Sequence, residues 1–251
     1  MDVVIEIHAV ESVQVLTLSS GSVNTLDVDL LEELALAVDD LARSDDAGAL
    51  VVTGAGRAFS AGVDLKRVVE GGADYTDRLV PALSGAFAAL FAYPGPTVAA
   101  VNGAAIAGGC VLACACDRRL ITPQAQIGVT EVHVGVPFPV AALEVMRYAC
   151  GDHAEEVMLG GRTYREAGAI AAGLAHRVVD GELMQSAVAE AAELAGIPTD
   201  VYRHTKDWLR APAMTRIRES AGVDDEVRRM WGSAETQHRL SEYVERMRRR
   251  D

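Results

Sequence analysis

Strands interleaved with helices over the first 150 residues, then helices almost alone, predict an α/β fold with a helical C-terminal part. Two glycine-bearing loops, residues 54–65 and 102–109, each follow a short apolar strand and lead toward a helix. Glycine there lets backbone approach backbone or ligand closely, so the loops mark where such a fold gathers its chemistry. At 251 residues, half of them hydrophobic, the chain can bury a full core without covalent staples.

The elements follow in order. Residues 3–8 and 13–18 read as strands, the second alternating Val13, Val15 and Thr17 on one face. Ser20-Gly21-Ser22 is a turn, and Asn24-Thr25 precedes a helix with Leu26, Leu30, Leu34, Val38 and Leu41 on one stripe. Asp27 and Asp29 suit the dipole of its first turn. A short strand, 49–53, enters the first glycine loop. Glu70-Gly71-Gly72-Ala73-Asp74 breaks the chain before a long Ala-rich helix from Tyr75 to about Phe91, closed by Pro94-Gly95-Pro96. A strand at 97–101 then runs into the second loop, whose glycines open a helix-like segment ending at Asp117. Residues 118–121 read as a strand, and 126–139 as a loop-rich segment with one acid, Glu131, among apolar neighbours. Helices follow around 139–149, 152–159, 182–195, 200–210 and 224–248, with Arg248-Arg249-Arg250 as a frayed end.

Charge and composition exclude several classes. A net charge of −13 argues against non-specific nucleic-acid binding. Residues 201–251 nevertheless hold 12 of the 23 Lys and Arg against 9 acids. That excess suits an acidic partner surface, a phosphate-bearing ligand or a solvated helix face. No run reaches the ~18–20 apolar residues of a membrane span, and no secretory signal is visible, so a cytoplasmic protein without a membrane partner is expected. Cys110, Cys114, Cys116 and Cys150 lack CxxC spacing, and three share one apolar segment; they read as small buried hydrophobes, with no metal. Gly54-Ala55-Gly56 opens like a dinucleotide fingerprint, but Phe59 stands at its third glycine. Gly103 and Gly108 have P-loop spacing without the Lys and Ser/Thr.

The two glycine loops can place two backbone N–H groups around one point, an arrangement that suits a thioester or ester oxygen gaining negative charge. Glu131 is then a candidate general base, its pKa raised by desolvation, or else a carboxylate capping a local turn. His133 reads as a packed or surface residue, and Lys66, Arg67 and Lys206 as phosphate contacts or solvated charges.

These residues also carry a resemblance. Phe59-Ser60-Ala61-Gly62-Val63-Asp64-Leu65, Asn102-Gly103 with Ala107-Gly108-Gly109-Cys110, Cys116-Asp117, and Ile127-Gly128 to Glu131 and Gly135 are similar to the crotonase (enoyl-CoA hydratase/isomerase) superfamily. Asn24, the segment 173–179 and Thr205-Lys206 extend it over nearly the whole chain. It implies a crotonase-type spiral of ββα units over 1–195 that binds acyl-CoA, and a helical trimerisation region over 196–251. It further implies homotrimers or hexamers, and an acyl-CoA thioester as ligand, with coenzyme A part of the substrate and no other cofactor. By position it makes Ala61 and Gly108 the oxyanion N–H donors and Glu131 the catalytic carboxylate. Ser60, Gly62, Asp64, Leu65, Gly109, Val111 and Phe138 fall at the substrate, with Asp64 and Asn102 shaping loops rather than reacting.

Val111 is the informative departure. Hydratases of the family carry a glutamate there and a second where Glu131 stands, and valine cannot activate water. One carboxylate and an oxyanion hole are equipment for moving a proton. The pattern resembles mitochondrial-type Δ3,Δ2-enoyl-CoA isomerases, as do Ala107 in the glycine triplet and the run from Trp231 to Arg246. The expected reaction shifts a 3-enoyl-CoA double bond to the 2-position, with Val129, Val132, Val136 and Phe138 excluding water and residues 75–93 shaping the acyl pocket. Two other readings stay open: another crotonase-type reaction (weak hydration, decarboxylation or thioester hydrolysis), and an acyl-CoA-binding protein without turnover.

Overall fold

A computed structural model describes residues 4–43 and 48–249. Val3, the expected start of the first strand, and Arg250, in the expected frayed end, lie outside the described residues. In chain order the first half holds β1 (Ile5–Val10), β2 (Val13–Leu18), β3 (Thr25–Leu26), α1 (Val28–Ala42), β4 (Ala49–Gly54), β5 (Ala58–Ser60), β6 (Gly62–Val63), α2 (Leu65–Phe91), β7 (Thr97–Val101), β8 (Ala104–Ile106) and α3 (Gly108–Ala115). Then come β9 (Arg118–Ile121), β10 (Gln126–Gly128), α4 (Glu131–Val134), α5 (Val140–Cys150), α6 (Ala154–Gly160), β11 (Thr163–Tyr164), α7 (Glu166–Ala171) and β12 (Arg177–Val178). Helices α8 (Leu183–Ala195), α9 (Thr199–Glu219), α10 (Ala221–Gly232) and α11 (Ala234–Arg248) finish the chain.

Successive units send one strand to a six-stranded sheet, the next to a smaller sheet, and then a helix, which is the expected ββα pattern. The large sheet runs β1-β2-β4-β7-β9-β12 and is parallel apart from β1 with β2. Its inner strands β4 and β7 are buried throughout and read as continuous apolar runs, while the edge strand β1 is largely exposed. Leu50 and Val52 join the main core with Leu16, Leu18, Ala99 and Val101. Ala49 and Val51 turn the other way with Val13, Val15, Val98 and Ala100, covered by Leu183, Ala187 and Ala191 of α8. The four-stranded sheet, β11-β10-β8-β5, and the pair β3-β6 carry the glycine loops.

Several boundaries differ from expectation. Helix α2 begins at Leu65 because the Asp64 carboxylate accepts from the N–H groups of Lys66 and Arg67; the expected break survives as non-helical Gly72 (φ 57°, ψ −144°). Helix α9 runs on through Pro212 to Glu219, and the expected 224–248 helix divides at Ser233, whose hydroxyl caps α11 by accepting from the Thr236 N–H.

The C-terminal helices dock on their own core. Asp117, at the end of α3, accepts from Lys206 Nζ (2.7 Å), Arg210 (2.6 Å), the Tyr202 hydroxyl (2.9 Å) and the Thr97 N–H (2.8 Å). Lys206 therefore does not meet a ligand phosphate: its ammonium is buried between Asp117 and the Gly95 carbonyl. Asp224 of α10 accepts from the Ser84 hydroxyl of α2 and the Val140 N–H of α5. Among the described residues no helix is long and apolar enough to cross a membrane, and no cluster of three or more His, Cys, Asp or Glu could hold a metal. All four cysteines are buried and free.

Candidate active site

A cavity of about 480 Å³ opens where β6, the start of α3, α4 and the C-terminal helices meet. Its scaffold is two loops locked by side-chain amides. Asn24, in the left-handed region (φ 52°), donates to the carbonyls of Ala55 (3.0 Å) and Ala58 (2.8 Å). Asn102 donates to the carbonyls of Gly54 (2.8 Å) and Gly56 (2.9 Å), confirming it as a shaper of the loop. Gly109 is needed because a Cβ there would lie 2.4 Å from the Ser60 carbonyl oxygen.

Ala107 precedes α3 at φ 54°, ψ −126°, a region that belongs to glycine. We expect Ala107→Gly to raise stability by about 1 kcal/mol in urea unfolding, the strain released outweighing the added freedom of the unfolded chain. Unchanged or lower stability would show that the turn carries no such strain.

The amides of the two loops have different fates. The Ala61 N–H donates to the Val23 carbonyl at 2.9 Å, so Ala61 does not serve as an oxyanion donor. In the parallel pairing of β6 with β3, the Asp64 N–H goes to the Leu26 carbonyl. Alternation then turns the intervening Val63 N–H away from β3. Val63 and Gly108 both line the cavity, and a Cβ on the adjoining Gly62 would lie 3.5 Å from the Gly108 nitrogen. The Gly108 N–H stands in the first turn of α3, outside the intrahelical ladder, and meets no acceptor among the described residues. The Val63 and Gly108 amides are thus the neighbouring pair left for a ligand oxygen.

Glu131 opens the four-residue α4 on the cavity wall. Its Oε2 is closed to solvent and has no hydrogen-bond partner. Burial pushes its pKa up to about 7, against a smaller downward pull from backbone N–H groups. Asp64 also lines the cavity, but its carboxylate is spent capping α2. Leu65 and Phe138 stand on the wall.

Four expected substrate residues lie off it. The Ser60 hydroxyl donates to the Asn24 carbonyl (2.6 Å) and accepts from the Gly62 N–H, tying both residues into the loop. Gly109 is pressed on Ser60, and Val111 faces the main core, fully buried. The apolar wall includes Val134, Val136 and Phe138, while Val129 is buried behind it and Val132 borders an outer groove. His133 is exposed, and Arg67 pairs with Asp27 (2.8 Å); of the expected phosphate contacts, Lys66 reaches the cavity. Sequence reasoning missed Val63, Trp231, Tyr243 and Val244 on the wall, whereas Leu83 and Phe87 come from the 75–93 segment expected to shape the acyl pocket. The 3.6-residue spacing of Leu79, Leu83 and Phe87 announces a buried stripe but does not say which of its members reach the cavity.

The enoyl-CoA hydratase/isomerase family model matches residues 8–250. A Thermus thermophilus protein that carries the enoyl-CoA hydratase name is 38% identical over 192 residues, 75% of this chain and 76% of that one. A solved Mycobacterium tuberculosis protein, described as an enoyl-CoA isomerase in one structure and as an enoyl-CoA hydratase in another, shares 32% identity, with 90% of this chain and 98% of that one covered and a TM-score of 0.79 in the first. Human mitochondrial Δ3-Δ2-enoyl-CoA isomerase superposes with a TM-score of 0.92 over 99% of each chain at 24% identity, a likeness of fold.

Proposed function

The chain belongs to the enoyl-CoA hydratase/isomerase family, and from that premise we propose that it moves the double bond of a 3-enoyl-CoA to the 2-position by one-base proton transfer. One observation carries this reading: among the described residues lining the cavity, Glu131 is the one carboxylate left uncommitted, while the position of a second, water-activating acid is a buried valine, Val111. The thioester oxygen rests on the Val63 and Gly108 N–H groups. The Glu131 carboxylate takes a proton from C2, the electron pair spreads over the dienolate, and the two amides hold the charge that develops on oxygen. The same carboxyl then returns its proton to C4, so the double bond ends between C2 and C3 and no water is consumed. The walls of Val134, Val136 and Phe138 keep water from the dienolate. The relatives' names divide between hydratase and isomerase, and the valine favours the second.

The test is the conversion of trans-3-hexenoyl-CoA to the conjugated 2-enoyl thioester, set beside hydration of trans-2-hexenoyl-CoA. Faster isomerisation than hydration supports the reading; hydration as the main activity sinks it. A base with a pKa of about 7 must be ionised to act, so kcat/KM for isomerisation should rise with pH and level off above about 8. A profile flat from pH 5 to 9 would place the base elsewhere.

A further inference from the structure

The cavity wall grades from wet to dry. Of its lining, Gly21, Ser22, Lys66 and Arg248 are exposed, whereas Leu83, Phe87, Ala142 and Trp231 are each at most 2% exposed. A ligand with a charged head and an apolar tail fits such a gradient in one sense, with the head at the two cations and the tail on the dry floor. Trp231 is the largest side chain of that floor, and it comes from α10, outside the ββα core.

We propose that Trp231 closes the acyl end of the cavity and sets the chain length it accepts; this rests on the acyl-CoA reading above. The indole is pinned at both ends of the residue. Its Nε1–H donates to the Pro137 carbonyl at 2.9 Å, fixing the ring against the segment that joins α4 to α5. Its own carbonyl accepts from Gln237 Nε2 at 2.9 Å. The next residue, Gly232, lies so close to α2 that a Cβ would sit 3.2 Å from the Ala73 Cβ and 3.3 Å from the Thr76 hydroxyl. Swinging the ring aside would leave a buried N–H without an acceptor. The floor is therefore rigid: a longer acyl chain meets the ring, and a shorter one leaves part of the floor uncovered.

The experiment measures the affinity of saturated acyl-CoAs from butyryl to dodecanoyl, which bind without turnover, for the wild type, Trp231→Leu and Ala142→Val. Affinity in the wild type should climb with chain length to a limit and then fall. Trp231→Leu should move that limit to longer chains and improve dodecanoyl-CoA relative to butyryl-CoA by about tenfold or more, the scale set by apolar groups in a fitted pocket. Ala142→Val, which adds bulk to the same floor, should move the limit the other way. An unshifted profile in folded Trp231→Leu overturns the assignment. Should that variant not fold, an unshifted profile in Ala142→Val overturns it equally. Wild-type protein that binds no acyl-CoA of any length overturns the acyl-CoA reading and this assignment together, whereas strong binding indifferent to chain length overturns this assignment alone.

Discussion

Glu131→Gln is expected to lower isomerase turnover by about 10²–10⁴-fold while making the folded protein more stable at pH 8. The first effect follows from the loss of the one carboxylate base that, among the described residues, faces the cavity uncommitted. The second follows from what burial does to that carboxylate. Unfolded, it titrates at the ordinary 4.5; folded, it titrates at about 7. A raised folded pKa means stability that is complete below about pH 4.5 and is lost as pH rises through 7. The cost of holding the anion at pH 8 is about 3 kcal/mol, and the uncharged glutamine does not incur it. Thermal unfolding at pH 8 should show the variant ahead, and at pH 5 most of the difference should vanish. Wild-type turnover in the variant would remove Glu131 from the mechanism. Equal stability at both pH values would show that the carboxylate is hydrated in the fold. Such a trade of stability for activity is common where a catalytic group sits in a site that disfavours its working form.

Asp117→Asn should destabilise the protein by about 3–5 kcal/mol, because it leaves two buried cations without their anion. Lys206 and Arg210 both converge on this carboxylate, and each is nearly closed to solvent. Burial already pulls the Lys206 pKa down to about 8 with Asp117 opposing the shift, so removing the charge favours a neutral amine. The Asp117 pKa is itself held low by the two cations although burial pushes it upward. Urea unfolding measures the loss. A change under 1 kcal/mol would mean that water replaces the carboxylate, and that the network orders α9 without supporting it.

The parts of the fold that were legible in sequence are those decided by side-chain period. Residues 13–18 show alternation of Val13 and Val15 on one face, and 97–101 a mostly apolar run between turn residues, so each strand is marked without reference to neighbours. Glu131 was legible because it is the one acid in an apolar segment. What escaped depends on register. Ala61 and Val63 are two residues apart in one loop, and which amide is free is decided by the pairing of β6 with β3, a partner 37 positions away at both paired residues. Lys206 escaped for a similar reason, since a lysine on a polar helix reads as solvated until Asp117 is found opposite it. Trp231 and Tyr243 stand on amphipathic helices whose pattern shows an apolar face but not what that face covers.

The dependence of the cavity on α10 and α11 ties reactivity to the completion of folding. Its wall draws on residues as far apart in sequence as Gly21 and Ser22 on one side and Met247 and Arg248 on the other. Non-local closures of this kind are slow to form. The raised pKa of Glu131 comes from burial, so any opening of the wall to water would draw it back toward the ordinary carboxylate range. A closed wall over Glu131 is thus what keeps its carboxylate basic enough for the proposed proton transfer.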